Sequence, residues 1–199
     1  MLLKIYKKLL NHFGYQNWWP VTSNNKKDEI IIGAILTQNT AWKNVEKVIK
    51  ILKDKNLLNK KAMLKILQNE LANLIKPVGY YNQKAKKLKA FFNYNGEITR
   101  ENLLSIWGIG EETADSILLY AYEKPYFIVD AYTKRVMKHL GFDESSYKEL
   151  QNLFHKNLPE DVEIYKEFHA LFVELGKKYC RTKPVCDKCP LIEVCKCRE

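Results

Sequence analysis

The sequence predicts an all-α fold, and three observations predict it. Apolar residues recur at helical 3, 4 and 7 spacing in successive segments, no stretch of any length alternates with a period of two, and the breaks between segments are glycines, prolines and short polar runs. With 199 residues, 46% of them hydrophobic, the chain is long and apolar enough for one core or two small lobes, which excludes a disordered protein. No apolar run reaches the length of a membrane span. There is no internal repeat and no low-complexity linker.

The elements follow in order. Residues 2–13 form an amphipathic first helix, in which lysines interrupt the leucines too often for a signal peptide. A cytoplasmic, nucleoid-associated protein is therefore expected. Tyr15 to Pro20 make an aromatic turn, and Ser23 to Lys27 supply a cap for the helix through Ile30 to Leu36. That helix is apolar nearly all round and reads as the buried centre of a bundle. It ends at the polar run Thr37 to Thr40, expected to be exposed. Trp42 to Leu52 is amphipathic, short helices follow near 62–67 and 70–76, and Pro77 to Tyr81 is a loop. In the helix at 83–94, Ala85, Leu88, Phe91 and Phe92 face inward and Lys84, Lys86, Lys87 and Lys89 outward. Asp130 opens a helix to Leu140, Ser146 and Glu149 form a capping box for the next, and a last helix spans 162–178.

One stretch organises the rest. Arg100 to Ile106 can form two helical turns, with Thr99 or Ser105 as a cap or turn residue, and Gly108-Ile109-Gly110 must then break them. Glycines on either side of one apolar residue suit a tight turn, with positive φ at glycine and the isoleucine plugged inward. Glu111 and Glu112 open the following helix, where negative charge complements the dipole, and Ala114, Ile117, Leu118 and Ala121 give it an apolar stripe. The result is helix, glycine hairpin, helix. Amides beside a helix N-terminus make an anion site suited to a DNA phosphate.

The formal net charge of +10 fits a polyanionic partner. Residues 41–90 carry 13 lysines against Glu46, Asp54 and Glu70, which favours one DNA-facing side. Four cysteines cluster as Cys180-x5-Cys186-x2-Cys189-x5-Cys195, with Cys197 beyond. Such clustering favours metal over disulfides, and thiolates select zinc or an iron–sulfur cluster; spacing alone does not separate the two.

The pattern Leu103-x-x-Ile106-x-Gly108-Ile109-Gly110-x-x-Thr113-Ala114, followed by Val129-Asp130, resembles the helix-hairpin-helix DNA glycosylases of the endonuclease III superfamily. The resemblance spans nearly the whole chain. It implies a six-helix lobe over residues 23–129, a second lobe from 1–22 plus 130–199, and a cleft between them that holds Asp130 as the catalytic carboxylate. It implies a [4Fe-4S] cluster on Cys180, Cys186, Cys189 and Cys195, with zinc the alternative. The first gap here is five residues where the family has six, which leaves Cys197 as a substitute ligand. By the same resemblance Gly108, Ile109 and Gly110 grip DNA, Tyr80 is the wedge that fills the hole left by a flipped base, and Gln38 enters the duplex from the other side.

Family members that also cut the backbone carry a lysine amine at the position of Glu112, and a carboxylate cannot form a Schiff base. A monofunctional glycosylase without lyase activity is the consequence. Trp18-Trp19-Pro20 and Gln38 to Trp42 resemble pocket segments of the endonuclease III-like 3-methyladenine DNA glycosylases, which makes Trp18, Trp19 and Trp42 the candidate base pocket. A cationic alkylated purine is a good leaving group and stacks well on aromatic faces. The expected form is a monomer acting on double-stranded DNA that carries a damaged base, with no membrane involved. Rival readings are an enzyme for oxidised pyrimidines or mismatched bases, and a non-catalytic damage-binding module. His169 matches a subgroup position, but a lone histidine on a helix is more often structural and receives no role.

Overall fold

A computed structural model describes residues 1–196; Cys197 lies outside the described residues. Eleven α-helices appear among them and no strand: α1 (Leu2–Phe13), α2 (Lys26–Leu36), α3 (Trp42–Asp54), α4 (Lys60–Lys65), α5 (Gln68–Leu74), α6 (Tyr81–Asn93), α7 (Arg100–Ser105), α8 (Glu111–Ala121), α9 (Ala131–His139), α10 (Tyr147–Asn157) and α11 (Val162–Lys178), with a 3-10 turn at Lys76–Val78 before α6. No described helix is long and apolar enough to cross a membrane. The chain divides into two compact units, Trp19–Tyr122 and Met1–Trp18 with Glu123–Glu199. Sequence reading put these crossovers at 22/23 and 129/130.

Trp19–Tyr122 contains α2 to α8, wrapped around α2. Ile30 to Leu36 are all buried, and α2 packs on α8, α6 and α3. Local chemistry sets the helix ends. Asn25 caps α2 through the Asp28 amide, Asn59 caps α4 through Ala62, and Thr99 caps α7 through Asn102. Each such cap contributes about 1 kcal/mol. Buried Glu29 accepts hydrogen bonds from the Thr22 amide and hydroxyl and the Ser23 amide, which ties the turn ahead of α2 to its first turn.

Two expectations are corrected here. Thr37, Gln38 and Thr40 are half-buried, and only Asn39 of that run is exposed; the Gln38 and Thr40 side chains bond inward, to the hairpin and to Val78. Of the four lysines on α6, only Lys86 is exposed; Lys84 is buried, and Lys87 and Lys89 are half-buried. Their ammonium groups reach carbonyl and side-chain oxygens of neighbouring segments, which helical periodicity does not reveal.

In the other unit α11 packs against α9 and α1, and α1 against α10. Its core is aromatic. Phe127 stacks on Phe154 with centroids 3.8 Å apart, and Phe168 meets Phe127, Phe154, Phe172 and Tyr6. Burying each such ring contributes about 1.5–3 kcal/mol. Buried Glu167 of α11 accepts the Gln16 amide at 2.6 Å and so holds the residues that lead to Trp18.

Candidate functional site

The glycine hairpin forms as its sequence demands. Gly108 has φ +82°, in the left-handed region, and Ile109 is buried. A Cβ at Gly108 would stand 2.6 Å from Lys87 Cγ, so close packing and backbone conformation both call for glycine. Gly110 is the N-cap of α8 and offers no side chain to its first-turn amides. That leaves an electropositive helix start of the kind that receives phosphate.

Gln38 is built into this hairpin. Its Nε2 donates to the Gly108 carbonyl at 3.1 Å and to Thr113 Oγ1 at 2.9 Å, while its Oε1 accepts from Lys87 Nζ. The loop that carries Tyr80 is also defined. Gly79 and Tyr80 have φ of +65° and +44°, and Tyr80 is 70% exposed. A left-handed tyrosine is strained, and such strain gathers at functional sites.

The candidate pocket residues divide between the units. Trp19 and Trp42 meet edge to face at 5.2 Å, Trp19 also meets Tyr120, and Trp19 covers Gly33 of α2. Trp19, Pro20 and Trp42 line a cavity of about 380 Å³ together with the acidic Glu29, Glu46 and Asp54 and the basic Lys50 and Lys53. Trp18 belongs to the other unit, where its ring lies edge-on to His169 with centroids 5.8 Å apart and Lys177 Nζ stands 5.5 Å from its centre.

Asp130 is the N-cap of α9. Its Oδ1 accepts the Thr133 amide at 2.7 Å, and its Oδ2 faces His169 Nε2 at 3.6 Å. The carboxyl is 13% exposed. Burial by itself would raise its pKa, but the contact and charge of His169, with the Thr133 bonds, outweigh burial and hold it below the ordinary carboxylate value. The group is thus an anion in a nearly dry place. His169 is the residue that sequence reasoning passed over. Its match to a subgroup position gave it no role; the fold brings α11 to the start of α9, where it meets Asp130. Glu112 lies exposed in the first turn of α8.

The four cysteines draw together at the end of the chain. Cys180 feels the charges of Cys189 and Cys195, and Cys189 those of Cys195 and Cys186. Burial, partly offset by Arg135, raises the Cys180 thiol to about 11. Its Sγ lies 3.1 Å from His139 Nδ1, and Cys195 Sγ lies 3.4 Å from the His139 carbonyl. Among the described residues no three His, Cys, Asp or Glu side chains close on one point as a single ion requires. Half-buried thiols are soft donors, the ligand type that zinc and iron–sulfur clusters take.

Comparison with known proteins fits this arrangement. Residues 32–160 match the family model described as HhH-GPD superfamily base excision DNA repair protein. The protein MJ1434 of Methanocaldococcus jannaschii is 48% identical over 98% of this chain and 96% of its own. The 3-methyladenine DNA glycosylase MagIII of H. pylori, solved with 1,N6-ethenoadenine, superposes with a TM-score of 0.77 at 33% identity, covering 89% of this chain and 96% of that one. An endonuclease III trapped as a covalent DNA intermediate superposes with a TM-score of 0.84 at 26% identity, covering 98% and 94%. The chain belongs to the HhH-GPD superfamily of base excision DNA repair glycosylases.

Proposed function

We propose that this DNA glycosylase releases alkylated purines such as 3-methyladenine by hydrolysis and leaves an abasic site. One observation carries the reading: Asp130 keeps its charge in a buried setting, held by Thr133 and faced by His169. Breaking a glycosidic bond builds positive charge on the sugar, and a fixed anion in a place of low dielectric stabilises it. Water adds to the anomeric carbon, oriented by Asp130, which takes up its proton, while the base leaves with the bonding electrons. A purine already alkylated at N3 leaves as a neutral molecule and needs no general acid, and no acid partner is assigned.

The glycine hairpin takes a phosphate, and Tyr80 fills the space of the extruded nucleotide. Gln38 enters from the opposite side once it gives up its bonds to the hairpin. The cavity of Trp19, Pro20 and Trp42 supports a flat guest stacked on aromatic faces. Trp18, packed on His169, flanks the carboxylate side of the reaction. MagIII, named for 3-methyladenine, supports the same substrate class. Glu112 supports a hydrolase without lyase activity, since it has no amine to attack the sugar.

Cys180, Cys186, Cys189 and Cys195 hold a [4Fe-4S] cluster in this reading, supported by their soft thiol donors and by their clustering within a short stretch of chain. Bound there, it supplies a structural clamp. Purified protein should be brown and hold about four iron atoms per chain; colourless protein with one zinc overturns this part.

Mass spectrometry of bases freed from methylated DNA tests the function directly. Release of 3-methyladenine by the wild type and none by Asp130→Asn is expected. Release of oxidised pyrimidines or of thymine from mismatches, with alkylated purines left in place, overturns the substrate. Efficient borohydride trapping on abasic DNA overturns the hydrolytic step.

A further inference from the structure

Lys84 lies on the inner side of α6 with only 2% of its surface exposed. A buried ammonium needs an acceptor for each of its three donors. It has them in the Leu36 carbonyl at 2.9 Å, the Val78 carbonyl at 2.8 Å and Thr40 Oγ1. These acceptors come from two separate segments, the end of α2 with the residues after it and the 3-10 turn before α6. Leu36 and Thr40 bracket Gln38, which is itself bonded to the Gly108 carbonyl of the hairpin. Val78 immediately precedes Gly79 and Tyr80. Thr40 Oγ1 also lies within hydrogen-bonding distance of the Val78 carbonyl, so the two segments share a hydroxyl as well as an ammonium. Burial first, and the charge of Lys87 second, lower the Lys84 pKa to about 8, as befits a cation cut off from water.

We propose that Lys84 is a positioning residue for base extrusion: its ammonium fixes the Tyr80 wedge in register with the glycine hairpin, through Thr40 and the Gln38 loop. The proposal rests on the reading above that Tyr80 enters the duplex. Its physical basis is the backbone at Gly79 and Tyr80. Two successive residues with positive φ, one of them a tyrosine, do not hold that shape through local bonds alone. The Val78 carbonyl is the last anchor before them, and Lys84 and Thr40 together hold it. A wedge works only if it stands at a fixed distance from the phosphate grip, since a displacement of an ångström or so misplaces the reacting group.

The test uses the full-length protein and a duplex in which 2-aminopurine lies opposite a tetrahydrofuran abasic analogue. The rise in 2-aminopurine fluorescence on binding reports unstacking of the estranged base. Tyr80→Ala is expected to cut the rise about fivefold or more. Thr40→Val, which keeps shape and loses the hydroxyl, is expected to cut it about fivefold, and Thr40→Ser to restore it. Lys84→Met is expected to cut it further, and Tyr80→Ala to have no added effect in that background. Should Lys84→Met fail to fold, the Thr40 pair carries the test. A full rise in Thr40→Val, or additive losses in Thr40→Val with Tyr80→Ala, overturns the proposal and leaves the wedge reading standing. No change in Tyr80→Ala overturns the wedge reading, and the proposal with it.

Discussion

Asp130 and Lys84 are both charged groups taken largely out of water, and the structure treats them in opposite ways. Asp130 has a backbone amide on one oxygen and a histidine facing the other, and its pKa falls, so that the anion persists. Lys84 has its three donors met by oxygens of its own unit, and its pKa falls as well, which for an amine moves it toward neutrality. One charge is preserved, with a backbone amide on one oxygen and a histidine facing the other; the other is consumed in joining two segments. Burial of a charge therefore does not by itself mark a reacting group. What separates the two is whether the partners leave the charge available.

The sharpest way to break this contrast is Asp130→Asn. Asparagine caps a helix about as well as aspartate, so fold and duplex affinity should be kept while base release falls about 10²–10³-fold in single-turnover assays. A fall under tenfold would remove Asp130 from the chemistry. Lys84→Met should do the reverse to stability. It strands buried oxygens, and urea unfolding should show a loss of about 3 kcal/mol, against under about 1 kcal/mol for Asp130→Asn.

His169→Phe tests what keeps Asp130 charged. Without the histidine, burial dominates and the carboxyl pKa rises, so the acid limb of the pH–rate profile should move upward toward neutrality. An unmoved limb would show that Thr133 alone suffices. The smallest effect is on stability. The folded-state pKa of Asp130 lies below its unfolded value of about 3.9, so its contribution is full above that pH and is lost as the pH falls through the folded value. The difference in urea midpoint between wild type and Asp130→Asn should therefore shrink from pH 7 to pH 3.

Sequence reading served α8 better than α6. The hairpin turn, the inward Ile109, the acidic first turn of α8 and the buried stripe all follow from residues within four positions of one another, and all are found. The outward lysines of α6 failed because a lysine stem is long enough to reach acceptors that belong to other segments. The exposed reading of Thr37 to Thr40 failed for the same reason, since Gln38 and Thr40 bond to the hairpin and to Val78. Asp130 was readable as a cap because Thr133 is three residues away; its pairing with His169 was not, because α11 is distant in the chain.

By itself the sequence determined the helices, their caps, the glycine bend and the nature of the thiol cluster's donors, since propensity, capping and periodicity act over one or two turns. Tertiary structure alone decided which lysine loses its water, which histidine meets Asp130, and which tryptophans share a cavity. Those outcomes depend on long side chains finding partners across packed helices, and no local pattern encodes the partner's address.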